Sequence, residues 1–236
     1  MNTPPHSLLF LSGAGLPAWI WDEVRHRLDG SPETLVAPRP ERGSAGHRGS
    51  GPGLSDYVDA AIDALPAGPV TIVAHSAGGV VGAEIARRAP DRVLGFLAVS
   101  AIVPEPGGSF LTAMPLPNRW VLGAVMRVAG TRPPDSAIRG TLAHGIEERT
   151  VARLLADFTP EPQGFYRDRT GPQPWAGRRG YVMTAADREL PPRLQRRFAA
   201  RLDAPWRREL ATGHLPMLEN PGALAATILS FLEPRG

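Results

Sequence analysis

The chain contains no cysteine. That removes disulfides, thiolate metal ligands and a cysteine nucleophile, and leaves no sign of an oxidising compartment. Lysine is absent as well, since all 26 basic residues are arginine, so there is no phosphate-gripping P-loop lysine. Arginine stays charged at every accessible pH, which makes the isoelectric point high although the net charge is only +3. No basic stretch is interleaved with aromatics, so nucleic-acid binding is not expected. Long apolar runs are missing too. The longest near the start, Leu8 to Leu11, falls short of the ~7–15 apolar residues of a signal-peptide core and far short of the ~20 of a membrane span, and no basic segment precedes it. The expected location is cytoplasmic, with no membrane partner.

What remains suits one sizeable globular domain: 236 residues, 42% of them hydrophobic, enough for a core of its own. Glycine and proline number 26 each but are scattered, which predicts many turns rather than a disordered tract. Charge is uneven. Residues 1–117 carry 8 arginines against 11 acidic residues, and 118–236 carry 18 against 12. A basic second half could steer an anionic substrate, although a plain preference for arginine on solvated faces accounts for it more simply.

Short apolar runs alternate with helical patterns, the signature of a parallel sheet covered by helices. Strands are read at Leu8–Leu11, Thr34–Ala37, Val70–Ala74, Val93–Ser100, Gly180–Thr184 and Trp206–Leu210. Helices are read at Ala18–Leu28, from Ser55 or Asp56 to Leu65, and at Val80–Ala89, Leu194–Leu202 and Gly222–Leu232. Gly43 to Gly53 reads as loop. From Pro104 to Arg178 the alternation stops; helical pieces (Trp120–Val128, Ile138–His144, Glu147–Phe158) lie between proline-rich breaks. The predicted fold is therefore α/β: a mostly parallel six-stranded sheet with helices on both faces, built from residues 1–103 and 179–236. A small helical cap, 104–178, is inserted after the fourth strand.

The segment Ala74-His75-Ser76-Ala77-Gly78-Gly79 joins a buried strand to a helix. A serine on so tight a turn needs small residues two positions before and after it, here Ala74 and Gly78, the nucleophile-elbow arrangement. The helix that follows aims its unpaired N–H groups at a reacting carbonyl. A serine hydroxyl is a poor nucleophile without a histidine base and a carboxylate that orients it. His214 follows the last strand, where ligands of open α/β sheets gather. His6, His26 and His47 precede the elbow, His75 shares its turn and reads as packing, and His144 falls in the cap. The carboxylate should lie between Ser76 and His214 on another strand-end loop, and Asp187, after Tyr181–Thr184, has that place. Asp203, Glu209 and Glu189 are less well placed. Backbone amides of Ala77 and, from the loop after the first strand, Ala14 are the expected oxyanion donors. Trp120, Phe165 and Trp175, with Phe110, Leu111 and Leu122, are candidates for the substrate pocket, each equally readable as packing. No metal-ligand spacing occurs, and Gly13-x-Gly15 lacks the third glycine of a dinucleotide loop, so neither metal nor cofactor is expected. A small molecule is the expected partner, and a homodimer is left open.

These residues resemble the α/β-hydrolase superfamily, and within it the branch of plant methylesterases and hydroxynitrile lyases with its bacterial relatives. Four segments in order carry the likeness: Ser12-Gly13-Ala14 with Ala18-Trp19-Ile20-Trp21; the elbow; Asp187-Arg188-Glu189-Leu190-Pro191 with Gln195-Arg196; and Gly213-His214-Leu215-Pro216-Met217-Leu218-Glu219-Asn220-Pro221. Ser12 and Ala74 depart from the branch's histidine and glycine. The lyases place a lysine where this chain has Leu215 and a threonine where it has Gly13, so the resemblance implies hydrolysis of an ester, thioester or lactone of a small, partly apolar molecule. A cyclase, acyltransferase or lyase on the same triad, or a receptor-like ligand binder, is the alternative, because fold alone does not choose among them.

Overall fold

The computed structural model describes residues 7–28, 32–40 and 51–233. The expectations for the extreme N-terminus, for His6 and His47 and for most of the Gly43–Gly53 loop concern residues outside this set. Six strands, β1 (Ser7–Leu11), β2 (Glu33–Val36), β3 (Val70–His75), β4 (Val93–Val99), β5 (Arg178–Thr184) and β6 (Trp206–Leu210), form one sheet. Their order is β2-β1-β3-β4-β5-β6 and every pairing is parallel. A parallel sheet is covered on both faces, so its central strands read as continuous apolar runs; β1 and β3 are buried at every position.

Alternate side chains of a strand leave on opposite faces, and two cores result. Leu9, Leu11, Ile72 and Ala74 pack under α2 (Leu54–Asp63), α3 (Gly78–Arg88) and α9 (Pro192–Arg201). Leu8, Phe10 and Val73 pack under α1 (Asp22–Arg27) and α11 (Pro221–Leu232). Fully burying one such side chain contributes roughly 1.5–3 kcal/mol, which is why these faces, rather than helix propensity, hold the layers together. The predicted helix from Ala18 is in fact a 3₁₀ turn, Ala18–Trp21, leading into α1. The helix expected to start at Ser55 or Asp56 starts at Leu54: Asp56 reaches back to accept from the Gly53 amide (2.7 Å), and Asp168 accepts from that of Leu54 (3.0 Å).

Between β4 and β5 the chain forms helices and no strand: α4 (Phe110–Ala113), α5 (Asn118–Ala129), α6 (Asp135–Ala137) running into a π-helical turn at Ile138–Leu142, α7 (Glu148–Asp157) and α8 (Gln163–Arg167). A short α10 (Pro216–Glu219) follows β6. The connection from β1 runs outward to β2, the chain then returns to β3, and the order proceeds the other way to β6. The carboxyl ends of β1 and β3 therefore flank a topological switch point, where open α/β sheets place their ligands.

Candidate active site

Ser76 is the residue immediately after β3, and its φ of 51° is the left-handed conformation that a side chain adopts only under constraint. The turn is tight enough to demand glycine behind it, because a Cβ on Gly78 would come within 2.7 Å of the Ser12 carbonyl oxygen. The result is a hydroxyl held clear of the sheet at the start of α3. His214 Nε2 lies 3.0 Å from Ser76 Oγ, and His214 Nδ1 lies 2.8 Å from Asp187 Oδ2. The loops after β3, β5 and β6 thus bring Ser76, Asp187 and His214 together in serine–histidine–aspartate order.

Protonation follows from the partners. Burial acts most strongly on Asp187 and would raise its pKa, but the histidine, the Ser100 hydroxyl and the Leu190 amide together hold it at about 2. An ionised carboxylate only accepts, so His214 Nδ1 carries the proton and Nε2 presents a lone pair to the serine hydroxyl. Asp187 is saturated with donors: the amides of Glu189 and Leu190 reach Oδ1 at 2.8 Å each, while Thr184 Oγ1 (2.8 Å) and the Ser100 hydroxyl reach Oδ2. Gln195, fully buried, ties the loop shut by accepting from the Thr184 amide (2.9 Å) and donating to the Leu190 carbonyl (2.7 Å). Sequence reading singled out none of Ser100, Thr184 or Gln195 for this role; Gln195 entered only as part of a resemblance. His75 is more than packing. Its Nε2–H donates to the His214 carbonyl at 2.8 Å, and burial, with His214 beside it, pushes its pKa down to about 3, so the ring stays neutral.

Ala14, Ser76 and Ala77 all line a cavity of about 370 Å³, within the size range of small-molecule sites. Among the described residues the Ala14 and Ala77 amides have no acceptor within the protein. Phe110, Leu122, Met126 and Tyr166 contribute apolar wall, and Arg188 stands among the lining residues. Three predicted pocket residues are elsewhere. Trp120 is 68% exposed on the outer side of α5, over a separate shallow hollow. Phe165 is buried against Tyr57 and Tyr166 and borders a second cavity of about 360 Å³ behind the β1 loop. Trp175 borders a small cavity of about 90 Å³ beside Arg87 and Arg201. Ser12, where the resembled branch has histidine, accepts from the Trp21 indole at 3.1 Å. No group of three side chains able to hold a metal occurs among the described residues, and no described helix is long and apolar enough to cross a membrane.

Comparison with known proteins agrees with this geometry. Epoxide hydrolase EphH of Mycobacterium tuberculosis is 28% identical over 205 residues, covering 76% of this chain and 94% of that one. An extracellular α/β-hydrolase from a Paenibacillus species superposes with a TM-score of 0.80 at 17% identity, covering 96% of this chain and 98% of that one. The methylesterase MES16 of Arabidopsis gives 0.74 at 18% identity, with 95% and 97% covered. Such low identities speak to fold alone. The sequence pattern of the alpha/beta hydrolase family, however, matches residues 8–227, and with a parallel sheet and a buried serine–histidine–aspartate network of that form, the chain belongs to the α/β-hydrolase family as a serine hydrolase.

Proposed function

We propose that the enzyme cleaves a carboxylic ester, or a thioester or lactone, of a small and partly apolar molecule through an acyl-enzyme on Ser76. The observation that carries this reading is the 3.0 Å approach of His214 Nε2 to Ser76 Oγ while Nδ1 is committed to Asp187. His214 takes the serine proton as Oγ adds to the carbonyl carbon, and Asp187 stabilises the imidazolium. The negative charge on the former carbonyl oxygen is received by the amides of Ala14 and Ala77, a reading supported by both residues lining the cavity with Ser76 and by neither amide having an acceptor among the described residues. His214 then returns the proton to the leaving group, and a water activated by the same ring releases the acid. The apolar cavity wall suits a hydrocarbon part of the substrate.

The kinship with an epoxide hydrolase is weighed by the same chemistry. A serine oxygen that opened an epoxide would form an alkyl ether, which water and a histidine do not cleave; the residue at the elbow here is Ser76, so turnover of an epoxide through it stops after one event. An acyl ester on Ser76 hydrolyses. The plant methylesterase likeness points the same way without deciding the acyl or alcohol part.

The test is active-site labelling with an alkyl fluorophosphonate, followed by a burst assay with short-chain p-nitrophenyl esters. Labelling at Ser76 and a stoichiometric burst are expected for the native chain, and neither for Ser76→Ala. Full activity on such esters in Ser76→Ala would end the proposal. A labelled chain that shows no turnover would favour the receptor-like reading.

A further inference from the structure

Behind the β1 loop lies a buried carboxylate that the reaction itself does not use. Glu161, between α7 and α8, is only 4% exposed. Its Oε1 accepts from the Gly15 amide at 3.1 Å and faces Arg39 Nη2 at 3.0 Å, while its other oxygen accepts from the Tyr57 hydroxyl. Burial and the neighbouring carboxylate push the Tyr57 pKa well up, so that hydroxyl remains a donor. The same stretch of cap grips the loop again: the Thr159 amide donates to the Gly15 carbonyl at 3.1 Å, and Arg39 binds both the Leu16 and the Thr159 carbonyls. Gly15, at φ +77°, is thus held at both its N–H and its C=O by residues that come from the far side of the cap insertion. The residue just before it is Ala14, which lines the cavity beside Ser76 and whose amide has no acceptor among the described residues.

We propose that Glu161 is a positioning residue for the oxyanion loop: it fixes the Ala14–Gly15 peptide, the immediate neighbour of the Gly13–Ala14 peptide that carries the Ala14 N–H, and so makes the aim of that N–H depend on the cap being seated. The inference rests on the acyl-transfer reading above. Arg39 is part of the device. A bare carboxylate next to this loop would oppose the negative charge that develops on the substrate oxygen, and the guanidinium at 3.0 Å neutralises it.

The test measures the saturable kinetics of labelling by a small alkyl fluorophosphonate, whose attack by Ser76 builds negative charge on a phosphoryl oxygen in the same hole. Deleting an oxyanion donor outright typically costs about 10²- to 10³-fold, so misaiming one should cost about 30-fold. For Glu161→Ala the expected result is a maximal labelling rate lower by about that factor with half-saturation within about twofold. Glu161→Gln keeps an acceptor for the Gly15 amide and is expected within about threefold of the native rate. A native rate in Glu161→Ala, a defect confined to half-saturation, or a Glu161→Gln as slow as Glu161→Ala would each overturn the proposal. If Glu161→Ala does not fold, Arg39→Met decides. It should label more slowly than the Arg39→Met/Glu161→Gln double variant, which removes the uncompensated charge, and any other order overturns the proposal. A native chain that resists labelling at Ser76 brings down the acyl-transfer reading; a native chain that labels while Glu161→Ala keeps pace brings down only this one.

Discussion

Replacing Asp187 by asparagine changes almost no volume, yet the donor set around it dictates the outcome. Six groups point at the carboxylate: the amides of Glu189 and Leu190 at Oδ1, and the donors of Ser100, Thr184, Gln195 and His214 at Oδ2. Backbone amides cannot turn round, so the new NH₂ cannot take the Oδ1 place. It must take the Oδ2 place, where the Ser100 and Thr184 hydroxyls can rotate to accept from it and Gln195 Nε2 gives up its 3.3 Å contact while keeping the Thr184 and Leu190 carbonyls. His214 Nδ1 then faces a donor and has to present its lone pair, which moves the ring proton to Nε2. That nitrogen, 3.0 Å from Ser76 Oγ, can no longer take the serine proton. A tautomer locked the wrong way costs about 10⁴ in rate, about 5.5 kcal/mol of barrier. Single-turnover acylation by p-nitrophenyl acetate, read on protein whose circular dichroism is native, should show that loss. Stability makes a second readout. Asp187 sits at about 2 in the fold against 3.8 unfolded, so its ionised form contributes about 2 kcal/mol that is complete above pH 3.8 and lost as pH falls towards 2. The Asn variant should lack that part of the acid limb. Acylation within tenfold of native in a folded Asp187→Asn would refute the tautomer argument.

His75 has a folded pKa of about 3 against 6.5 unfolded, so the unfolded chain binds more protons between those values. Stability from its neutral ring is complete above pH 6.5 and falls as pH is lowered towards 3, by on the order of a few kcal/mol. His75→Gln, which keeps a donor for the His214 carbonyl, should flatten the decline of the thermal midpoint between pH 6.5 and 4.5; parallel curves for the two proteins would contradict this. Trp120, exposed on the outer side of α5, should be replaceable by alanine with kcat/KM changed less than about twofold. Leu122→Trp, on the inner side of the same helix, should lower the ratio of hexanoate to acetate ester turnover by at least about tenfold through lost cavity volume, and an unchanged ratio would show that the acyl chain lies elsewhere.

What could be read in advance follows from where burial leaves a periodic mark. β3 and β6 lie within a residue of their expected bounds because a strand covered on both faces, or bounded by turn residues, stands out as a short run. The elbow was legible because sterics leave few choices around a strained serine. The cap was not, and α5 shows why. Leu122 and Met126 mark one apolar face, lining the cavity, while Val121, Val125 and Val128 mark another that is exposed. Two apolar stripes on one helix give no sign of which points inward, so picking the large aromatics selected Trp120 from the wrong side. α4 and α8, four and five residues long, are too short to show any period. The partners of Asp187 were hidden for another reason. Ser100, Thr184 and Gln195 come from three separate places, just after β4, the end of β5 and α9, and a serine or threonine at a strand end looks like any loop residue until the pairing of β4 with β5 is known. The one available hint was position, since Ser100 directly follows seven residues of strand next to the nucleophile's own.

Strand order also poses a problem that only the geometry answers. The serine follows β3 and the histidine follows β6, which is three places away in the sheet. At about 4.8 Å per strand the two carboxyl ends are separated by about 14 Å, while the reacting atoms are 3.0 Å apart. The β6 loop must therefore fold back over the ends of β5 and β4, and a free loop doing so would pay its ordering entropy at every turnover. Here it is pinned along its length. The Ala186 amide donates to the Thr212 carbonyl (2.9 Å), the Gly213 amide to Glu219 (2.6 Å), and His75, from the end of β3 itself, holds the His214 carbonyl. Asp187 fixes the ring's direction, but His75 fixes how far the backbone that carries it reaches, so the residue beside the nucleophile does for the base's backbone what the carboxylate does for its ring.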